Sequence, residues 1–204
     1  TGSDEHGGAR PDDEPSFVNV ARYLARHGVP VPAIYHDAAH SDALILLEDI
    51  GDLTLWDVAS KTPDRAPELF AAAVDVLVTT QLAGERDPDP TCHAFHRRLD
   101  ATLARAELEH FVEHGIETRR GGALEPDERA RLLAALEPVC EPFETPDVLS
   151  HRDYMAWNLH VQDGRLRIID FQDALLAPDG FDLSQLLTDR TTITVVPPAL
   201  EDAL

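Results

Sequence analysis

The chain has 204 residues, 17 basic and 38 acidic, for a formal net charge of −21. A hydrophobic share of 43% is enough for a packed core and excludes a wholly disordered chain, while no apolar run approaches the roughly 20 residues of a membrane-spanning helix. The acidity argues against duplex nucleic acid or an anionic membrane as the main partner, since both call for clustered basic residues, and Lys61 is the one lysine.

Residues 1–15 are rich in Gly, Pro and Asp without apolar periodicity and read as a disordered head or a cut end. A helix is predicted next, with Ser16 as cap, Phe17, Val20, Ala21 and Leu24 on one face, and Gly28 as its stop. Residues 33–36 and 43–48 read as strands around a polar turn, the second apolar enough to be covered on both faces. Asp49-Ile50-Gly51-Asp52 breaks that strand, and Thr54 caps a short helix containing Leu55, Trp56 and Val58. Phe70, Ala73, Val74, Leu77, Val78 and Gln81 repeat at the helical period, predicting a helix over 67–82. Further helices are predicted over 94–113 and 126–139, with 115–122 as a polar, basic loop between them. Residues 147–153 lead into a tight polar loop. Residues 159–161 and 166–169 form a hairpin around Asp163-Gly164, a strong turn signal, and Leu183, Leu186 and Leu187 suggest a last helix. Cys92 and Cys140 make no disulfide framework and read as buried thiols. No basic-then-apolar leader opens the chain, so a cytoplasmic setting is expected.

The chemistry-bearing stretch is His151-Arg152-Asp153-Tyr154-Met155-Ala156-Trp157-Asn158, followed by Ile168-Ile169-Asp170-Phe171. Asn158 and Asp170 stand about six residues either side of the hairpin turn, so folding brings them nearly opposite one another at its open end. A carboxylate and an amide oxygen there form a hard oxygen pair suited to a magnesium ion that keeps waters and phosphate oxygens. Asp153, five residues before Asn158, can sit just beyond that ion and aim or deprotonate an attacking hydroxyl. Together the loop, the hairpin and the Ile-Asp-Phe strand end point to phosphoryl transfer.

Residues 151–158 and 169–173 (IDFQD) resemble the catalytic and metal-binding motifs of the aminoglycoside phosphotransferase and choline kinase family. Leu46–Asp52, His151–Tyr154, and Ile169–Ala174 with Phe181-Asp182-Leu183 look most like the bacterial N-acetylmuramate/N-acetylglucosamine anomeric kinases. The resemblance covers about residues 13–190. It implies an α+β, protein-kinase-like fold: a head at 1–15, the remnant of an incomplete N-terminal lobe and hinge at 16–52, and a mainly helical C-terminal lobe at 53–204. It further implies that Asp153 is the catalytic aspartate, that Asn158 and Asp170 hold Mg2+, and that Glu48, Asp49 and Ile50 form the ATP hinge. His151 and Asp182 would brace the loop, and Gln172 and Asp173 would either reach the acceptor, an amino sugar or an amine, or serve only as turn residues. Met155 stands where many relatives carry a histidine.

The departure lies at the other end. The phosphate-covering hairpin and the basic residue of the third strand have no counterpart before Ser16, and Lys61 lies beyond the hinge. The chain therefore reads as a fragment or remnant, expected to phosphorylate sugars poorly. The rivals are a non-catalytic kinase-like binding module and a zinc hydrolase built on Cys92, His93 and His96 or on His110 and His114. Surface histidines are the preferred reading of His93, His96, His110 and His114. Trp157 could pack on the acceptor or on the core.

Overall fold

The computed structural model describes residues 14–196 and residue 200; the expected disordered head therefore lies almost wholly outside the described residues. Helix α1, Ser16–Arg26, buries Val18, Val20, Ala21, Tyr23 and Leu24, and Phe17 stacks on Phe171 at 4.9 Å. Pro15, not Ser16, occupies the cap position in extended conformation. The Ser16 hydroxyl is thereby released to hydrogen-bond His93 Nδ1 at 3.0 Å. Gly28, at φ +79°, turns the chain back so that the Val29 N–H reaches the Leu24 carbonyl.

Strand β1, Ile34–Ala38, pairs antiparallel with β2, Leu44–Leu47, across the helical turn α2, Ala39–Asp42. The expectation that the second strand is covered on both faces fails: Tyr35, Leu44 and Leu46 are 65%, 66% and 60% exposed. Apolar composition predicts burial only where another layer exists to supply it. Among the described residues, none packs over this face of the two-stranded sheet.

Helix α3, Leu55–Lys61, starts as expected at Thr54. The Thr54 hydroxyl accepts the Asp57 N–H at 3.1 Å and the Asp57 carboxylate accepts the Thr54 N–H at 3.2 Å, a reciprocal capping box. The Thr54 hydroxyl holds the Asp57 carboxyl below its usual range. Thr54→Ala is expected to cost about 1 kcal/mol, read as a lower midpoint in urea unfolding with an unchanged slope.

Helix α4, Ala66–Arg86, is the central element, with Leu69, Phe70, Ala73, Leu77 and Ala83 buried. With its preceding turn it forms a stretch, Pro63–Arg86, long and apolar enough by composition to cross a membrane, contrary to the sequence expectation. Its apolar face is instead directed into the core. A Cβ on Gly84 would lie 2.5 Å from Leu149 Cβ, so glycine is what lets α4 approach the next strand this closely.

The helix expected from residue 94 starts later, as α5, Ala101–His110, with the Asp100 carboxylate capping the Leu103 N–H at 2.9 Å. The preceding residues are drawn into extended pairing, Leu99 N–H to Leu176 O at 2.8 Å and Leu176 N–H to Arg97 O at 2.9 Å. The expected loop at 115–122 is largely helical: Phe111–Glu117 is wound as a π-helix and α6, Thr118–Arg120, follows. Gly121, at φ +81°, ends it. Helix α7 is Pro126–Leu136, continued by a 3₁₀ stretch over Glu137–Glu144.

Strand β3, Val148–Ser150, pairs antiparallel with β6, Leu175–Ala177, and β4, Leu159–Gln162, with β5, Arg165–Ile168. The β4–β5 turn places both Asp163 and Gly164 at positive φ, the twist a two-residue hairpin favours. Helix α8, Phe181–Thr188, follows, and a 3₁₀ turn over Thr192–Thr194 comes after it. The core gathers Leu24 of α1, Leu55 of α3, Phe70 and Leu77 of α4, Tyr154, Leu159, Ile168, Phe171 and Leu186. Through Tyr154 and Ala156 it takes in part of the 151–158 segment.

Candidate active site

β3 delivers the chain into residues 151–158, where Arg152 takes a left-handed φ of +79°. Asp182, at the start of α8 and 1% exposed, holds this turn. Its carboxylate accepts the Ser150 hydroxyl at 2.7 Å, the His151 N–H at 2.7 Å and the Arg152 N–H at 3.1 Å. Burial pushes the Asp182 carboxyl up, and these donors together with His151 oppose the shift. His151 donates from Nε2 to the Ile169 carbonyl at 2.8 Å and accepts the Asp153 N–H at Nδ1 at 3.3 Å. One ring nitrogen must donate and the other accept, which only neutral imidazole can do. Burial, which pushes the histidine below its ordinary value, agrees. Tyr154 bolts the loop to α4 through its hydroxyl on the Ala73 carbonyl at 2.7 Å and to α8 through its N–H on Gln185 Oε1 at 3.1 Å.

The Asp153 carbonyl accepts both the Met155 N–H at 2.9 Å and Asn158 Nδ2 at 2.8 Å. Among the described residues no hydrogen bond or ion pair engages the Asp153 carboxylate. Because Nδ2 of Asn158 is tied to a carbonyl, its Oδ1 is the end left for a ligand. The Ile169 N–H donates to the Asn158 carbonyl at 3.0 Å. This extends the Leu159–Ile168 register by one pair, so Asp170 is the next residue along. Asp170 is exposed and sits at φ +65°; Gln172 Nε2 donates to its Oδ1 at 2.7 Å. One carboxylate oxygen is thereby fixed and the other remains for a cation. The donor set, an amide oxygen and a carboxylate oxygen, fits a hard divalent ion that completes its shell with waters and phosphates. Among the described residues no group of three or more His, Cys, Asp or Glu is arranged to hold a metal alone.

Arg97 holds the segment beyond, donating to the Gln172 carbonyl at 2.8 Å and lying 3.4 Å from the Asp173 carboxylate. Glu48, in the segment after β2, accepts the Ala33 N–H at 3.1 Å and pairs with Arg167 at 3.2 Å, contacts that hold its carboxyl below the usual range. Gln162 caps the Asp49 carbonyl at 2.9 Å and His160 the Gly51 carbonyl at 2.8 Å, clamping residues 49–51 on β4. Beside it lies an open cleft of about 730 Å3 lined by Tyr35, Leu46, Glu48, Asp49, Arg165 and Arg167 among others.

Several of these supports are absent from the motif as read in the sequence: Ser150, Gln185 and Arg167 stand outside it and became visible only through folding. The histidine reading needs correction in one place. His93 is buried, because the late start of α5 folds its 3₁₀ turn against α1; His96, His110 and His114 are exposed. Burial pushes the Cys92 thiol up to about 11, which disfavours it as a thiolate ligand. Lys61 is exposed and paired with Asp57 at 3.3 Å.

A model of the phosphotransferase enzyme family matches residues 4–204. The N-acetylmuramate/N-acetylglucosamine kinase of Pseudomonas aeruginosa is 34% identical over 178 residues, covering 85% of this chain and 48% of that protein. The Pseudomonas putida protein of the same name is 31% identical over 174 residues, with the same coverages. The chain thus spans about half the length of these curated relatives. Among solved structures, the amicoumacin kinase hAmiN in complex with AMP-PNP, Ca2+ and Ami superposes with a TM-score of 0.56 at 17% identity, over 91% of this chain and 56% of that one. A glucosamine kinase does so with a TM-score of 0.50 at 18% identity, over 99% and 55%. At such identities the two structures speak to fold alone, and the fold is α+β and protein-kinase-like.

Proposed function

Because the chain belongs to the phosphotransferase enzyme family, we propose that the protein transfers the terminal phosphoryl group of ATP to a hydroxyl of an amino sugar. N-acetylmuramate or N-acetylglucosamine, recycled from the cell wall in the cytoplasm, is the acceptor on this reading. On this reading residues 16–52 contribute to the smaller lobe and hinge and residues 53–196 to the helical lobe. The observation that carries the proposal is the Asp153 carboxylate, unengaged among the described residues, on the loop whose carbonyl orients the Asn158 amide, next to Asp170 at the hairpin mouth.

Asp153 orients the sugar hydroxyl and accepts its proton as the new bond to phosphorus forms and the bond to the bridging oxygen breaks, with ADP as leaving group. Asn158 Oδ1 and the Asp170 carboxylate hold Mg2+, with Gln172 fixing the rotamer of Asp170. Bound there, the ion supplies charge neutralisation for the phosphates. The Glu48 carbonyl and Ile50 N–H, which make no hydrogen bond among the described residues, meet the adenine edge. His151 and Asp182 keep the loop in shape, and Gln172 and Asp173 lie on the acceptor side. The 204 residues by themselves are expected to turn over slowly, since Lys61 is held by Asp57 and no other lysine is available to the phosphates.

The test is a coupled assay on the full-length protein with ATP, a graded Mg2+ series and a panel of amino sugars, aminoglycosides and choline. Transfer to an N-acetyl sugar is expected, abolished by a chelator. Asp170→Ala is expected to raise the Mg2+ needed for half-maximal rate by about 10- to 100-fold. Transfer confined to aminoglycosides or choline would move the acceptor to amines, and the absence of any transfer would favour a binding module.

A further inference from the structure

We propose that the outward face of Trp157, braced by Trp56, is the platform on which the acceptor ring lies. This rests on the amino-sugar kinase reading and names the group that receives the sugar. Trp157 directly precedes Asn158 and follows Asp153 by four residues. It is 41% exposed and, among the described large apolar side chains that are exposed, the only one within residues 151–158. Its ring stacks on that of Trp56 at 4.7 Å and 21°. Both indole N–H groups are taken by one residue: Trp157 Nε1 donates to Thr191 Oγ1 at 2.7 Å and Trp56 Nε1 to the Thr191 carbonyl at 3.1 Å. Thr191 is itself fixed by Asp189, which accepts its N–H at 2.9 Å and its hydroxyl. The Trp56 backbone N–H donates to the Ala156 carbonyl of the loop at 3.4 Å.

Helix α3, the catalytic loop and the segment after α8 thus converge to hold one exposed indole. With its N–H committed to the chain, the ring has only an apolar face to offer. Bracing of this kind gives a large contact area that loses little entropy when covered. The C–H face of a pyranose fits such a surface, and its hydroxyls remain at the rim for Asp153.

Both tryptophans of the chain lie in this stack, so their emission reports on it. Titration of the chain with N-acetylglucosamine, without nucleotide, is expected to shift the emission saturably and to shield it from acrylamide. Trp157→Phe, which keeps a ring on Trp56, should lose most of the shift. In the full-length protein Trp157→Ala should raise the acceptor KM about 10-fold with the ATP KM unchanged, and Trp157→Phe should restore part of it. An emission change in the chain, with no phosphoryl transfer by the full-length protein, supports the platform and overturns the proposed activity. Transfer to the sugar with unaltered emission and an unaltered KM in both variants overturns the platform and leaves the activity standing. A response to choline or an aminoglycoside but not to the N-acetyl sugar overturns the platform as a sugar subsite.

Discussion

Asp153→Asn is expected to lower turnover in the full-length protein by roughly 2–4 orders of magnitude, the range associated with loss of a positioned acid–base group. The substitution preserves size and leaves intact the contacts through which residue 153 shapes the loop. Those are its N–H on His151 and its carbonyl under Met155 and Asn158; all are backbone contacts. The carboxylate that the substitution removes has no structural partner among the described residues. Loss of kcat with unchanged KM for ATP and an unchanged melting temperature is therefore the expected pattern. Turnover within about threefold of the parent would show that the proton leaves by another route.

Asp182→Ala should act in the opposite way, on the fold before the chemistry. It strips three donors of their buried acceptor at once and releases the left-handed turn at Arg152. Leaving such donors unpaired in the interior costs about 3–5 kcal/mol, which for a chain of this size lowers the melting temperature on the order of 10 °C. Calorimetry and urea titration check this, and Asp182→Asn, which keeps one acceptor oxygen, should fall between. A melting temperature within about 2 °C of the parent would mean that the donors find water instead and that the carboxylate is not what holds the loop.

Where the sequence was legible, the signal was local. The Asp163-Gly164 turn, the Thr54 cap and the periodicity of α4 each depend on residues a few positions apart, and each formed where expected. The spacing of Asp153, Asn158 and Asp170 was legible for the same reason. The failures came where a distant segment decided the outcome. Residues 97–99 gave up a helical start to pair with Leu176. Leu44 and Leu46, apolar enough for an interior strand, stayed exposed for want of a covering layer. Residues 115–122 read as a polar, basic loop, yet the chain continued helical at Gly115 by widening into a π-turn, in which a Cβ at Gly115 would come within 2.9 Å of the Phe111 ring. The same limit applies at the site. The contacts of Tyr154 with Gln185 and of Trp157 with Thr191 join residues more than thirty positions apart, and no pattern within the loop announces them.

The positive φ at Asp170 sets durability against chemistry at one position. A non-glycine residue in that region carries a strain of about 1–2 kcal/mol that glycine would relieve. A library of variants ranked only by heat survival would thus tend to accept glycine at residue 170 and discard the carboxylate on which the proposed reaction depends. Selection for robustness in this chain has to be paired with selection for turnover, or it will favour sturdier molecules that no longer work.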